Sequence, residues 1–149
     1  NIPMINVFIE SEAGSTQGHK YDAQTLQLRR SFTAAAPYPF PYGFVVGTRS
    51  EDGKGLDCYI LTSQPLRSGS RVEAEPIGVI EFTEDGQADH KILAALPAEH
   101  VEIDKHLQAA FRTYTQAFFS KTPGKRYEIG QFLGAAEATA LVTKYSTHG

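Results

Sequence analysis

The 149-residue sequence contains one cysteine, one methionine and no tryptophan. A lone Cys58 excludes an internal disulfide framework, and no cysteine cluster exists to ligate zinc or an iron–sulfur centre. Such a thiol suits a reducing compartment, so a cytoplasmic location is the expectation. Long apolar runs are also missing. Residues 77–80 and 92–96 fall far short of the roughly 18 residues that a bilayer-spanning helix needs. The sequence, which begins at Asn1, does not open on a basic-then-apolar leader. Charge of one sign never accumulates into a block. Fourteen Lys and Arg stand against seventeen Asp and Glu, for a net charge of -3, which argues against a nucleic-acid surface.

What is present is enough apolar content, 41% of residues, for one domain over residues 1–149 with a real core and too little length for two ordinary ones. Short β-branched and aromatic runs predict strands over 5–9, 26–28, 44–47, 57–61, 71–75, 77–82 and 92–95. Turn-rich stretches at 12–18, 50–55, 64–69 and 84–87 separate them. From Ala98 the period changes: Val101, Leu107, Ala110, Phe111 and Tyr114 recur at helical spacing until Thr122-Pro123-Gly124 stops them. A short strand over 126–129 and an Ala-rich closing helix over 134–145 follow. Strands first and helices last predict an α+β chain, its strands forming an antiparallel sheet or small barrel.

Three stretches carry candidate chemistry. Glu51-Asp52-Gly53-Lys54-Gly55-Leu56-Asp57 is a Gly-rich turn with an Asp on each side, opening into a strand. Asp and Gly are what solvated hairpin turns demand, so a plain turn is one reading. The other joins it to a second acidic turn, Glu84-Asp85-Gly86-Gln87-Ala88-Asp89-His90-Lys91, because hard divalent ions take oxygen ligands converging from separate loops. Tyr38-Pro39-Phe40-Pro41-Tyr42-Gly43-Phe44 reads either as a rigid apolar loop or as a frame that points two phenols at phosphate oxygens. Lys20 and Arg30 could supply the positive side of such a pocket, although single cations are usually only solvated.

In this order and with nearly gapless spacing, these stretches resemble the soluble family I inorganic pyrophosphatases along almost the whole chain. Ile9-Glu10, Lys20-Tyr21-Asp22, Glu75-Pro76-Ile77-Gly78-Val79 and the run from Asp89 to Pro97 add to the resemblance. It implies a small five-stranded, OB-like barrel of mixed or antiparallel strands with flanking C-terminal helices. It implies hydrolysis of pyrophosphate by a metal-activated water, with Mg²⁺ as cofactor and Mn²⁺ as an alternative. Asp52, Asp57 and Asp89 would ligate the main metal pair, Glu84 would help bind metals arriving with substrate, and Glu10 and Asp22 would act through metal-bound water. Lys20, Arg30, Lys91 and Tyr42 would hold phosphate oxygens, with Tyr38 lining the pocket. A homo-oligomer, a hexamer in bacterial members, is implied too. Phe111, Phe118 and Phe119 could serve either such an interface or an ordinary core.

The sequence departs from the family's Asp-x-Asp-Pro-x-Asp signature where it matters. Lys54 stands in the place of the middle Asp, the family's general base, and Gly55 in the place of Pro. An ammonium cannot accept a proton, and about 4 Å from a divalent ion its repulsion is on the order of a few kcal/mol. The turn is also expected to lose rigidity at Gly55. A Tyr-Lys pair that holds phosphate near the helix end is missing; the nearest positions read Phe118-Phe119 or Tyr114-Thr115, leaving Lys121 or Lys125 to reach in. Glu84-Asp85 inverts the family's Asp-Glu order. Two functions stay open: a Mg²⁺-dependent pyrophosphatase slowed by Lys54, and a weakened or silent relative that binds phosphate or metal or acts on another small phosphorylated molecule.

Overall fold

The computed structural model describes residues 3–147. Nine strands and two helices follow in the order β1 (Ile5–Ser11), β2 (Gln17–Tyr21), β3 (Leu28–Thr33), β4 (Tyr42–Val45), β5 (Leu56–Ile60), β6 (Arg71–Glu84), β7 (Gln87–Ala88), β8 (Lys91–Ala95), α1 (Lys105–Phe118), β9 (Tyr127–Leu133) and α2 (Ala135–Tyr145). β1 pairs with β4, β4 with β5, β5 with β8, β8 with β6, and β6 returns to β1, so five strands close a ring. All these pairings are antiparallel except β5–β8. This is the small mixed barrel expected from the sequence. β9 adds to the far part of β6, and β2 with β3 forms a separate hairpin.

Alternation along the ring strands divides the molecule. Val7 and Ile9, Val45, Leu56, Cys58 and Ile60, Ala74 and Val79, and Ile92 and Ala94 from all five strands share one cluster, which is the ring's interior. Ala138, Leu141, Val142 and Tyr145 of α2 pack onto that cluster and cap it. The opposite faces carry Tyr42, Tyr59, Ile80 and Leu93, which join Tyr38 and α1 through Phe111, Leu107, Tyr114 and Phe118 in a second cluster. The outer faces of β4, β5 and β8 therefore lie beneath α1.

Several elements differ from the sequence reading. No strand forms over 26–28: Leu26 sits in the β2–β3 turn at a φ of 59°, and the strand runs instead over Leu28–Thr33. Residues 71–75 and 77–82 are one 14-residue strand. Pro76 is tolerated inside it because the register with β8 shifts between Pro76 and Gly78, where no ladder N–H is required. Helix α1 begins only at Lys105, where Asp104 caps it by accepting from the Leu107 N–H at 2.9 Å. Val101 mimics a helical position because it packs on the second cluster from an irregular segment. Among the described residues, no helix is long and apolar enough to cross a membrane.

Candidate active site

The outward face of β5 and β8 positions the first group of polar side chains. Inward Leu56, Cys58 and Ile60 leave Asp57 and Tyr59 facing out, and inward Ile92 and Ala94 do the same for Lys91 and Leu93. Parallel pairing of Cys58 with Ile92 sets Asp57 beside Lys91. The Lys91 Nζ donates to Asp57 Oδ2 at 2.7 Å and to Asp89 Oδ2 at 3.0 Å, with the lysine side chain 13% exposed. Tyr42 on β4 pairs with Tyr59, and its ring lies below both Lys20 and Lys91, 5.8 and 5.9 Å from their ammonium groups. On the β2–β3 hairpin Lys20 is directly opposite Arg30.

These side chains line two adjoining lobes of one cleft. The inner lobe, about 340 Å³, is lined by Lys20, Arg30, Tyr38, Tyr42, Asp52, Lys54, Asp57, Glu84, Asp89 and Lys91 under α1. The outer lobe, about 760 Å³, is lined by Glu10, Asp22, Arg29 and Arg49 among others, and shares Lys20, Arg30, Lys54 and Asp57 with the inner one. Every residue that the resemblance implies as a metal or phosphate ligand, together with Tyr38 and Lys54, thus lies on this cleft. Glu10 and Asp22 are on the outer side only, whereas Asp52, Glu84 and Asp89 are on the inner side only.

The family model for inorganic pyrophosphatase matches residues 7–148. The chain belongs to the inorganic pyrophosphatase family. An inorganic pyrophosphatase of Nanoarchaeum equitans is 30% identical over 93% of this chain and 92% of its own. One of Streptomyces coelicolor is 31% identical over 93% and 91%. A solved inorganic pyrophosphatase from Neisseria gonorrhoeae superposes with a TM-score of 0.86 at 25% identity, covering 95% of this chain and 88% of that one.

The signature turn of this pyrophosphatase-family chain is tied by its own hydrogen bonds. Asp52 Oδ1 accepts from the Ser50 hydroxyl at 2.6 Å and from the Lys54 N–H at 2.9 Å, while the Lys54 carbonyl accepts from the Ser50 N–H and hydroxyl. Tyr145 of α2 donates to Glu51 Oε1 at 3.1 Å from the other side. The loss of rigidity expected at Gly55 is therefore offset by side-chain bonding within the turn. Gly55 also has a packing role: a Cβ there would lie 2.7 Å from the Phe44 ring. Lys54 is exposed at the boundary of the two lobes.

Glu84 and Asp85 part company in the second acidic turn. Asp85 and Gly86, at φ of 52° and 81°, make the two-residue turn between β6 and β7, the geometry Asp-Gly favours. Asp85 is exposed and accepts from the Arg126 N–H, whereas Glu84 lines the inner lobe and pairs with Lys125 at 3.3 Å. Of the two lysines considered for the missing Tyr-Lys pair, Lys125 lines the inner lobe and Lys121 does not. Phe111 is buried beneath Tyr59, and Phe118 and Phe119 pack on Tyr38, Phe82 and Tyr127. In this chain they form core and cleft roof.

Burial and neighbouring charge tune the groups. Burial pushes the Glu10 carboxyl up to about 7, against the opposing effects of Lys20 and of the Tyr21 N–H that it accepts at 2.9 Å. Burial alone would raise Asp57 too, but Lys91 and Lys20 outweigh it and hold Asp57 below the usual carboxylate range. Asp89 is raised by burial and by the neighbouring Asp57 carboxylate, with Lys91 opposing. Burial opposes the charged form of Lys91, yet Asp57 and Asp89 overcome it and raise its pKa. Burial, then Asp57, pushes the Tyr42 phenol well above its ordinary range, so it stays a hydrogen-bond donor. Asp22 is held low by the Thr25 and Gln24 N–H groups, both 2.9 Å from its Oδ1.

Sequence reasoning missed Tyr59, which lines the inner lobe beside Tyr114. Tyr59 was accessible through the period of two that also exposes Asp57; Tyr114 reads both as an apolar-face position of the helix and, with Thr115, as a nearest match to the family's Tyr-Lys pair. The acidic side chains on both lobes offer only oxygen, and no cysteine or histidine lines either. Among the described residues, no three acidic, His or Cys side chains form a ready-made metal cage. Mg²⁺ needs no such cage, since it keeps several waters and takes one or two carboxylates together with substrate phosphate. Asp57 and Asp89, which converge on the Lys91 ammonium, are oxygen donors of the kind that could hold a hard cation.

Proposed function

We propose that this chain hydrolyses inorganic pyrophosphate to two phosphates, with Mg²⁺ as cofactor and Mn²⁺ able to substitute. The observation that carries this reading is the outward face of β5 and β8, where Asp57, Asp89 and Lys91 meet above Tyr42 and opposite Lys20 and Arg30. The relatives named as inorganic pyrophosphatases support it along nearly the full chain. Asp57 and Asp89, with Asp52 and Glu84, would hold the metal ions, and Glu10 and Asp22 would act through water. Bound divalent ions would lower the pKa of the attacking water and neutralise phosphoryl charge.

The chain's own residues then bind and orient the substrate. Lys91 and Lys20 supply point charges, Arg30 a guanidinium fork, and Tyr42 a phenol that keeps its proton for a phosphoryl oxygen. Tyr38, stacked on Tyr42 with ring centroids 5.6 Å apart, holds that phenol in place. Lys54 has no lone pair to accept the water's proton, so turnover loses the 10²- to 10⁴-fold, roughly, that a positioned base supplies.

One set of observations favours the second reading, a silent or redirected relative that binds phosphate or metal or takes another phosphorylated molecule. Lys54 stands where the base is needed, and Lys91 already neutralises the two carboxylates best placed for metal. Phosphate release from pyrophosphate, measured with Mg²⁺, with Mn²⁺ and with chelator beside an Asp52→Asn control, separates the two. Metal-dependent turnover that the control lacks is expected; turnover no greater than the control would leave the second reading. The proposal extends to residues 1–149 acting as one pyrophosphatase-like domain in a cytoplasmic homo-oligomer, with a hexamer as the expected mass in solution.

A further inference from the structure

We propose that the outer lobe is a second anion subsite that takes the third phosphoryl group of a linear inorganic oligophosphate, with Arg29 and Arg49 as its own ligands. This rests on the reading of the inner lobe as a pyrophosphate site and extends it to a longer substrate. The outer lobe, about 760 Å³, is the larger of the two, more than a pyrophosphate in the inner lobe would use. Its lining carries the cations Lys20, Arg29, Arg30, Arg49 and Lys54 against the acids Glu10, Asp22 and Asp57.

Those acids are already engaged. Asp57 is paired with Lys91, Asp22 accepts two backbone N–H groups of its own turn, and Glu10 accepts from the Tyr21 N–H. The cations are not engaged in the same way. Among the described residues, ion pairs within 4.0 Å are made by Lys91 and Lys125 alone. Arg29 and Arg49 are exposed on the wall of the lobe without a carboxylate partner at that distance, Arg29 interacting with Asp22 only from farther away. A concave surface with surplus positive charge focuses on an anion.

Continuity of the two lobes says where that anion comes from. Lys20, Arg30, Lys54 and Asp57 line both, so a phosphoryl chain held by the inner lobe runs on past Lys54 without leaving the cleft. An ammonium at the boundary carries an anionic chain across it, where a carboxylate would repel it. A nucleoside is disfavoured because the aromatic faces on the outer lobe are taken. The buried Phe44 ring stacks on Phe8 at 5.4 Å, and Tyr21 meets Phe8 edge-on at 4.8 Å. Neither offers the open platform that base stacking needs.

Calorimetric binding to the full chain in the presence of chelator tests the subsite without metal, using pyrophosphate, tripolyphosphate and ATP. Tripolyphosphate is expected to bind about tenfold tighter than pyrophosphate, the worth of one or two charge-assisted hydrogen bonds. The double variant Arg29→Gln/Arg49→Gln is expected to abolish that advantage while leaving pyrophosphate affinity within about twofold and the melting temperature unchanged. Equal affinity for the two anions in the parent, or an advantage that survives the double substitution, would overturn the proposal. ATP binding tighter than tripolyphosphate would overturn the choice of an inorganic chain. A tripolyphosphate advantage that depends on both arginines, in a protein that fails to turn over pyrophosphate, would uphold the subsite while removing the hydrolase reading.

Discussion

The two faces of β5 and β8 hold opposite chemistry within a single residue step. Inward, Cys58, Ile60, Ile92 and Ala94 have no solvent exposure at all; outward, Asp57 and Lys91 form an ion pair with Asp89 under a partly open cleft. Closing the ring hides one face in a dry core, and α1 covers the other only in part. The same strands thus fix the fold with one set of side chains and present charge with the next. Substitutions on the two faces should therefore fail differently: the inner ones in stability alone, the outer ones in turnover as well.

The largest separation is expected from Lys91→Met, which removes a proposed phosphate ligand and leaves Asp57 and Asp89 facing each other. Pyrophosphate kcat/KM is expected to fall about 10²- to 10³-fold, with a loss of about 3 kcal/mol in denaturant-derived stability from the uncompensated carboxylates. Ile92→Ala, one residue on, is expected to cost about 3 kcal/mol through its cavity, with turnover per folded molecule changed by less than about tenfold. Chemical denaturation and activity measured on the same samples check both.

Glu10 sharpens the comparison from the outer lobe, because its cost is electrostatic and depends on pH. Its carboxyl is raised from 4.5 to about 7 on folding. The stability this contributes is complete below the unfolded value and is lost as pH rises through the folded one. In chelator, the parent should therefore weaken between about pH 4.5 and pH 7 by up to about 3 kcal/mol, whereas Glu10→Gln should show a flatter profile over that window. Lys54→Asp restores a proton acceptor at the lobe boundary and is expected to raise pyrophosphate turnover about 10- to 100-fold; no gain would point to a changed task. The smallest effect belongs to the element that merely covers the outer face. Asp104→Ala removes the α1 cap and is expected to cost about 1 kcal/mol, read from thermal melts, with little change in kcat.

Much of this architecture was legible because short apolar strands alternate with Gly and Asp turns, and because the inner faces of 57–61 and 92–95 are uniformly apolar. The β2–β3 hairpin was not, since Arg29, Arg30 and Ser31 are exposed and show no buried face; cross-strand pairing alone makes that segment a strand. The start of α1 was misplaced because Val101 packs on the outer cluster from an irregular segment and so reads as one more apolar position of the helix. In the site, motif order located the carboxylates, Lys91 and Tyr42, but not their pairing, which depends on the parallel β5–β8 register. Lys125, Arg29 and Arg49 enter the cleft from a loop, a hairpin and the end of a turn, and no sequence period connects them.

The central claim is that the outer face of β5 is an enzyme's working surface and not a structural ion pair. Its most direct test is the initial rate of phosphate release from pyrophosphate in Mg²⁺ by the parent and by Asp57→Asn, with the folded fraction of each measured in the same buffer. Metal-dependent release by the parent is expected, with a loss of more than about 100-fold in the variant at equal folded fraction. Equal rates in the two proteins, or no release by the parent above that of the variant, would contradict it.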